Sequence, residues 1–131
     1  MVSPSPSLSS APLTRDECLQ LLDEADVARV LLSLGALPAA LPARIALSKR
    51  DHLVISSREN VVQLAARRGD VISVQIDGLD GDDNTWSVMV TGIAGSVPID
   101  EVATDRIKRI SDRGAALVAL PLSVVTGQRG H

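Results

Sequence analysis

The stretch TWSVMVTGIA, residues 85–94, contains the only tryptophan of the chain and belongs to a predicted long strand over residues 86–97. Pro98 ends this strand, because proline has no N–H to donate to a sheet. The preceding segment 71–76 has apolar side chains at every second position, which predicts a strand with one face in the core. The acidic segment 78–84 joins the two strands, so the sequence predicts a central antiparallel β-hairpin.

The composition predicts one domain with an aliphatic core. The chain has 131 residues, one tryptophan and neither phenylalanine nor tyrosine, so leucine, valine, isoleucine and alanine must fill the interior. A domain of this length buries roughly two-thirds of its unfolded surface without disulfides or structural metals. The net charge of −3 leaves no basic face, which argues against nucleic acid or an anionic membrane as the main partner.

The first twelve residues are rich in serine and proline and lack the basic start and apolar middle of a signal peptide. We predict a disordered tail over residues 1–12 and one folded domain over residues 13–131. No apolar run approaches the roughly 20 residues that span a bilayer. A cytoplasmic protein without membrane contact is therefore expected.

Strands dominate the predicted fold. Hydrophobic patterns and turn residues place strands at residues 27–34, 37–47, 52–57, 71–76, 86–97 and 116–126, and helices at residues 15–26, 60–68 and 100–110. Thr14 and Glu17 have the spacing of a capping box at the start of the first helix. Gly35 supplies the turn between the first two strands. Short, evenly spaced strands predict a mainly β (α+β) protein, built as a six-stranded antiparallel barrel with flanking helices.

Side chains that carry catalysis are scarce. The two histidines, His52 and His131, are far apart and no G-x-S-x-G segment is present, which argues against a hydrolase triad. Cys18 is the single cysteine, so a structural thiol is favoured over a zinc site. Segment 78–84 lacks the spacing of a calcium loop, so a solvated hairpin turn is favoured over a calcium site. An enzyme with this sequence therefore needs a cofactor that carries the reaction.

Five segments resemble, in order, the pyridoxamine 5'-phosphate oxidase-like FMN-binding split β-barrel family: residues 13–22, 41–44, 71–77, 85–94 and 124–129. Each segment is short, whereas their order and spacing together make the resemblance specific. It implies a split-barrel homodimer with a flavin cleft between the subunits. It also implies an oxidoreductase that transfers hydride through the flavin to or from an unknown substrate. No side chain stands out as a catalytic acid or base.

The resemblance implies a phosphate site. Arg44 stands where a strand arginine contacts the flavin phosphate, and its planar fork suits that anion. Its place inside an apolar strand also predicts a buried charge that needs a partner. Ser56 and Ser57 stand where the family usually has an Arg/Thr or Tyr/Thr pair. The family's lysine near the start of the next helix is Val62 here, and Arg58 is a candidate to replace its charge.

Trp86, Gln128 and Arg129 complete the candidate cofactor-binding residues. Trp86 either lies near the flavin ring or the dimer interface, or plugs the mouth of the barrel. By the resemblance, Gln128 and Arg129 come close to the cofactor from the closing strand of one subunit. Two alternatives are a non-enzymatic split-barrel dimer that has lost the cofactor, and a relative that binds a deazaflavin or heme. Segment 78–84 either covers the cleft or only turns the chain.

Overall fold

A computed structural model describes residues 10–48, 51–98, 105–111 and 114–130, and nine strands and three helices are found in these residues. In chain order the elements are β1 (Ser10–Pro12), α1 (Arg15–Glu24), β2 (Val27–Leu34), β3 (Leu37–Leu47), β4 (His52–Ser57), α2 (Asn60–Arg68), β5 (Val71–Leu79), β6 (Thr85–Ile93), β7 (Gly95–Ser96), α3 (Asp105–Ile110), β8 (Ala116–Pro121) and β9 (Val124–Gly130). The mainly β prediction is confirmed, whereas the predicted number of six strands is wrong.

The strands form one antiparallel sheet in the order β1-β9-β6-β5-β2-β3-β4-β8-β7. The sheet curls so strongly that strands distant in this order touch. A Cβ atom at Gly92 of β6 would lie 3.4 Å from Cδ of Pro121 and 3.5 Å from Cδ1 of Leu120, both in β8. The result is a curled half-barrel with an inner face around the core and a convex outer face.

One additional strand comes from the predicted tail. Residues 10–12 pair with the Gln128, Arg129 and Gly130 backbone as β1. Any sequence with free backbone groups can extend a sheet edge in this way, so composition gave no sign of it. A regular element therefore begins before Leu13, and residues 1–9 of the predicted tail lie outside the described residues.

Two more strands arise where a predicted strand is divided. The strand predicted over residues 86–97 is interrupted at Ala94, whose N–H donates to the Asp70 carbonyl at 3.0 Å, and the chain re-enters the sheet as β7. The strand predicted over residues 116–126 turns after Pro121, and the Leu122 N–H donates to the Asp51 carbonyl at 3.0 Å. Both divisions depend on backbone partners far away in the sequence.

The inner face is lined with alternating aliphatic side chains. In β5 the buried residues are Ile72, Val74 and Ile76, and in β6 they are Val88 and Val90. This is the period of two that the sequence predicts for half-buried strands. The core is consequently aliphatic, with Trp86 packed against it as a partly buried residue.

The outer face is only partly covered. Helix α3 places Ile107 and Ile110 on Val54 of β4, which explains why β4 is buried on both faces, as its continuous apolar run predicts. Beyond α3, the outer face of β2, β5, β6 and β9 carries five large aliphatic side chains that are 53–65% exposed: Val27, Val71, Leu79, Ile93 and Val124. We call this surface the open face.

The helices follow the sequence signals closely. Thr14 Oγ1 accepts from the Glu17 N–H at 3.1 Å, and a Glu17 carboxylate oxygen accepts from the Thr14 N–H at 2.9 Å, so the capping box is confirmed. Helix α1 ends at Glu24, two residues before the predicted end. Helix α2 has the predicted bounds and is closed by Gly69 at φ 68°. Of the helix predicted over residues 100–110, residues 100–104 lie outside the described residues.

No described helix has both the length and the apolar character needed to cross a membrane. The cytoplasmic location stays a prediction.

Candidate functional site

Four of the seven candidate residues line one cleft. This cleft, named the Arg44 cleft, encloses about 290 Å³ and is lined by Val27, Pro42, Ala43, Arg44, Ser56, Ser57, Arg58, Glu59 and Ala115. Trp86, Gln128 and Arg129 are not in its lining. The sequence-derived candidates thus fall into two separate groups in one chain.

Strand pairing assembles the Arg44 cleft. Arg44 of β3 pairs with Val27 of β2 on one side and with Ser56 of β4 on the other, so the three side chains project from the same face. Ser57 ends β4, and Arg58 follows it in the link to α2. Two hairpin strands and one strand-to-helix link therefore position all four candidates.

Arg44 is exposed, so the prediction that its charge is buried is wrong. Its neighbours Ala43 and Ile45 are 7% and 1% exposed and face the core. Because side chains alternate along a strand, the residue between them must point outward. Among the described residues no carboxylate forms an ion pair with the Arg44 guanidinium, which leaves its fork accessible to an external anion.

The two serines line the cleft and are buried, with Ser56 5% and Ser57 4% exposed. The Ser57 Oγ accepts a hydrogen bond from the Glu59 N–H at 3.1 Å. A hydroxyl that accepts one bond keeps its own proton to donate. Glu59 is the N-cap residue of α2, and its side chain makes no capping hydrogen bond, so it leaves the first amide N–H groups of α2 uncapped.

The charges around the Arg44 cleft leave a small positive excess. Two arginines, Arg44 and Arg58, face one carboxylate, Glu59, which gives a net charge of +1 for the lining. Glu59 was missed by the sequence reasoning, although its position directly before a predicted helix could have identified it. Val62, which replaces the family's lysine, is fully buried in the core and does not line the cleft.

The second group of candidates, Trp86, Gln128 and Arg129, lies at the other end of the sheet. Its side chains are divided between the two faces of the sheet. Trp86 pairs with Gly78 on one side and with Arg129 on the other, so these residues share the inner face. A Cβ atom at Gly78 would lie 2.7 Å from Cζ2 of Trp86, which shows that the indole covers this glycine. The ring also packs as a partly buried side chain against the aliphatic core. Gln128 precedes Arg129 and therefore projects from the outer face.

Arg129 is held by the acidic segment 78–84. Its Nε lies 3.2 Å from Oδ2 of Asp80. The other oxygen of that carboxylate accepts from the Asp82 and Asn84 N–H groups at 2.9 Å and 3.0 Å. The Asp82 N–H, followed by the Asn84 N–H and the Arg129 charge, lowers the pKa of Asp80.

The acidic segment therefore shapes the hairpin turn and also ties it to β9. Sequence reasoning missed the role of Asp80, although an aspartate two residues before a turn amide is the usual start of an Asx-turn. Across the described part of the chain, no group of three or more potential metal ligands is found.

A second cleft, named the Gln128 cleft, lies on the open face. It encloses about 480 Å³ and is lined by Asp77, Gly78, Leu79, Thr85, Trp86, Ser87, Gln128 and Gly130. Asp77 pairs with Ser87, which pairs with Gln128, so these three side chains project together. Arg29 of β2 contacts Asp77 at 3.8 Å from Nη2 to Oδ2.

The two clefts belong to the same face of the sheet. Arg29 pairs with Pro42 on one side and with Gln75 on the other. Val27 lies two residues before Arg29, and Asp77 lies two residues after Gln75, so all of these side chains share the outer face. The Arg29–Asp77 ion pair consequently stands between the Arg44 cleft and the Gln128 cleft.

Solved structures with the same fold support this architecture. The chain superimposes with a TM-score of 0.72 on an FAD binding protein from Mycobacterium smegmatis, at 20% identity over 92% of this chain and all of that one. For an FAD-binding protein from Mesorhizobium loti the TM-score is 0.73, at 19% identity over 93% of this chain and 97% of that one. An FAD and heme binding protein from Mycobacterium smegmatis gives 0.68, at 18% identity over 94% of this chain and 74% of that one.

Sequence comparisons give the family. The chain is 31% identical to the uncharacterised protein Rv0080 of Mycobacterium tuberculosis, over 97% of this chain and 90% of that protein. The family model described as pyridoxamine 5'-phosphate oxidase matches residues 14–128, which include both clefts apart from Gly130. The resemblance drawn from the sequence is therefore confirmed, and the chain belongs to the pyridoxamine 5'-phosphate oxidase-like family of flavin-binding split barrels.

Proposed function

We propose that the protein binds a flavin nucleotide with its phosphate in the Arg44 cleft and acts as an oxidoreductase on a small-molecule substrate. The observation that carries this proposal is the convergence of Arg44, Ser56, Ser57 and Arg58 in that cleft. The family resemblance independently assigns the same four residues to the flavin phosphate. Three proteins of the same fold that are described as binding FAD support the same class of ligand.

The residues present fit a phosphate group. Arg44 offers a bidentate fork without a carboxylate partner among the described residues, and Ser57 keeps a hydroxyl proton to donate. The uncapped N-terminus of α2 adds backbone N–H groups and a partial positive charge. Glu59 opposes the anion, so the net charge of +1 makes the cleft suitable for one phosphate monoester such as that of FMN.

The protein's part in the reaction is to bind and orient. A bound flavin supplies two-electron chemistry at its ring, which this chain's own side chains cannot provide. Arg44 and the serines fix the phosphate end, and the rigid strands β3 and β4 then fix the direction in which the rest of the nucleotide leaves the cleft. Positioning of this kind, without a dedicated acid or base, is the catalytic contribution that we assign to the residues of the cleft.

The proposal includes a homodimer. The open face carries five aliphatic side chains that are 53–65% exposed, of which Val27 lines the Arg44 cleft and Leu79 lines the Gln128 cleft. Five such side chains on one face of the sheet, with the polar residues Asp77, Ser87 and Gln128 among them, support an interface of mixed apolar and polar character. A second copy would cover the open face and bring its own Gln128 towards the Arg44 cleft, which is how the sequence resemblance assigns Gln128 and Arg129.

A flavin titration tests the cofactor. The purified protein should show a flavin spectrum or quench FMN fluorescence at micromolar concentration. Arg44→Ala should weaken the binding of FMN by about 1.5 to 3 kcal/mol, the usual contribution of a charged hydrogen bond. Arg67→Ala is the control, because Arg67 is exposed in the last turn of α2 and does not line the cleft.

The outcome separates the rival functions. Absence of both bound chromophore and FMN binding would refute the flavin proposal and favour a split barrel that has lost its cofactor. Quenching with a deazaflavin, or a heme absorption band, without FMN binding would favour the other alternative. An FMN affinity unchanged by Arg44→Ala would remove Arg44 from the site.

A further inference from the structure

The Gln128 cleft has a charge opposite to that of the Arg44 cleft. Among the described residues that line it, Asp77 is the single charged one, so the lining carries a net charge of −1, whereas the Arg44 cleft carries +1. A phosphate or carboxylate in the Gln128 cleft would meet a like charge, which disfavours its binding. The cleft therefore suits a neutral or positively charged group.

The carboxylate of Asp77 has unused capacity to accept hydrogen bonds. Its side chain is 48% exposed, and its contact with Arg29, 3.8 Å from Nη2 to Oδ2, is too long for a hydrogen bond. No hydrogen bond to either Asp77 carboxylate oxygen is found in the described part of the chain. Asp80 shows the contrast, because its carboxylate accepts two backbone N–H groups and contacts Arg129. Asp77 is thus open to donors from a ligand.

Two further acceptors stand beside Asp77 in the same row. Ser87 pairs with Asp77 on one side and with Gln128 on the other, so the two longer side chains flank the serine hydroxyl. The row offers a carboxylate, a hydroxyl and an amide oxygen, which match the three N–H donors of a primary ammonium group. The amide NH₂ of Gln128 remains available to a neighbouring flavin.

The cleft also has room for the body of such a molecule. Its volume of about 480 Å³ lies within the range of about 300 to 1,000 Å³ that is usual for small-ligand sites. Leu79, 64% exposed, gives it an apolar side. Gly130 keeps part of the cleft open, because a Cβ atom there would lie 2.8 Å from Oγ1 of Thr85.

We propose that the Gln128 cleft binds the positively charged amino group of a small-molecule substrate, with Asp77 as the countercharge. This inference rests on the proposed flavin function and names its substrate class, an organic amine without a phosphate group. In the proposed dimer the Gln128 cleft of one subunit opens towards the Arg44 cleft of the other, so the amine lies beside the flavin. Asp77 is a substrate-binding residue in this arrangement.

Three probes of nearly equal size test the charge preference: benzylamine, which is protonated at neutral pH, benzyl alcohol and benzoate. Trp86 is the only tryptophan of the chain and lines the cleft, so its fluorescence reports binding directly, and calorimetry gives the same affinities. Benzylammonium should bind at least about fivefold more tightly than benzyl alcohol, because Asp77 is half exposed and its ion pair is partly screened. Benzoate should show no measurable binding.

Two substitutions should shift the affinity in opposite directions. Asp77→Asn should lower the affinity for benzylammonium to that for benzyl alcohol, and Arg29→Gln should raise it by removing the competing cation. Asp82→Asn is the matched control, since it removes the same charge from an exposed residue of the same hairpin that does not line the cleft. Melting temperatures of the variants exclude unfolding as the cause of weaker binding.

Failure of this inference differs from failure of the proposed function. Equal affinities for benzylammonium and benzyl alcohol, or equal effects of Asp77→Asn and Asp82→Asn, would overturn the amine site while FMN binding stands. Displacement of benzylammonium by FMN would also overturn it, because the cleft would then belong to the flavin itself. If FMN does not bind but benzylammonium still depends on Asp77, the flavin function fails and a cation site without that cofactor remains.

Discussion

Gly127 of β9 lies directly under helix α1, and replacing it with alanine tests how tightly this helix is docked. A Cβ atom at Gly127 would lie 2.6 Å from Sγ of Cys18, 3.0 Å from Cδ1 of Leu13 and 3.2 Å from Cβ of Leu13. Atoms in good contact lie about 3.5 to 4.0 Å apart, so the new methyl group overlaps the thiol by about 1 Å. Cys18 is 1% exposed and cannot turn aside into solvent.

We expect Gly127→Ala to destabilise the protein by about 1 to 3 kcal/mol, the usual cost of overpacking a well-filled core. Helix α1 must shift, and the Leu13 N–H bond to the Gly127 carbonyl, now 2.9 Å, must lengthen or break. Since Gln128 follows Gly127, the same shift should disturb the Gln128 cleft.

Urea unfolding measures the free energy, and Gly95→Ala is the control because a Cβ atom at Gly95 meets nothing within 4 Å. Cys18→Ala combined with Gly127→Ala should recover at least about 1 kcal/mol relative to the sum of the single changes, since contacting residues couple. Burial raises the pKa of the Cys18 thiol, so thiol reagents should label it faster once α1 is displaced. A Gly127→Ala variant as stable as Gly95→Ala, or strictly additive with Cys18→Ala, would refute the close packing described above.

Three further predictions concern the capping box, the acidic turn and the position of the family's lysine. Thr14→Ala should cost about 1 kcal/mol in urea unfolding, the usual value for a lost N-cap. The Thr14 N–H and then the Thr14 hydroxyl lower the pKa of Glu17, and Thr14→Ala removes only the hydroxyl, so NMR titration should show the Glu17 pKa rising part of the way to its ordinary value. The pKa of Asp80 is lower in the folded protein than its ordinary value of 3.8, so the ionised carboxylate stabilises the fold above pH 3.8 and this stabilisation is lost as the pH falls through the folded pKa. Asp80→Asn should therefore be less stable than wild type at neutral pH, and the difference in the free energy of unfolding should disappear in acid. A difference in the free energy of unfolding between Asp80→Asn and wild type that is constant with pH would contradict this linkage. Val62→Lys should destabilise by about 3 to 5 kcal/mol, since it buries an unpaired charge, and should not strengthen FMN binding; tighter FMN binding in a folded variant would disprove the inward orientation.

Local sequence signals predicted the elements that local contacts define. Helix α2 and strands β2, β3 and β4 have the bounds expected from the sequence, because local signals such as Gly35, Gly69 and the polar residues that follow Leu47 in the sequence mark their ends. The capping box of α1 is equally local, since both of its hydrogen bonds span three residues.

The elements that the sequence did not predict depend on backbone hydrogen bonds between residues far apart in the chain. Strand β1 depends on the edge of β9, and the breaks at Ala94 and Leu122 depend on carbonyls of Asp70 and Asp51. The ion pair between Arg129 and Asp80 likewise depends on the pairing of β9 with β6. The four phosphate-site candidates named by the resemblance lie together in the Arg44 cleft, yet the resemblance gave no sign that Arg44 points outward.

The geometry of one chain also links the proposed cofactor to the proposed dimer. Arg44 and Gln128 lie on the same outer face, but the strand order places β2, β5 and β6 between them, which amounts to about 19 Å at the usual spacing of about 4.8 Å per strand. Side chains on a convex face diverge, so these two residues of one chain point apart. The proposed dimer accounts for this separation, because it supplies Arg44 and Gln128 to one flavin from different subunits. Ile93→Glu on the open face should therefore weaken the dimer in sedimentation analysis and FMN binding together, whereas Leu64→Glu, on the exposed side of α2, should affect neither. A monomeric Ile93→Glu variant with unchanged FMN affinity would show that one chain holds the whole site.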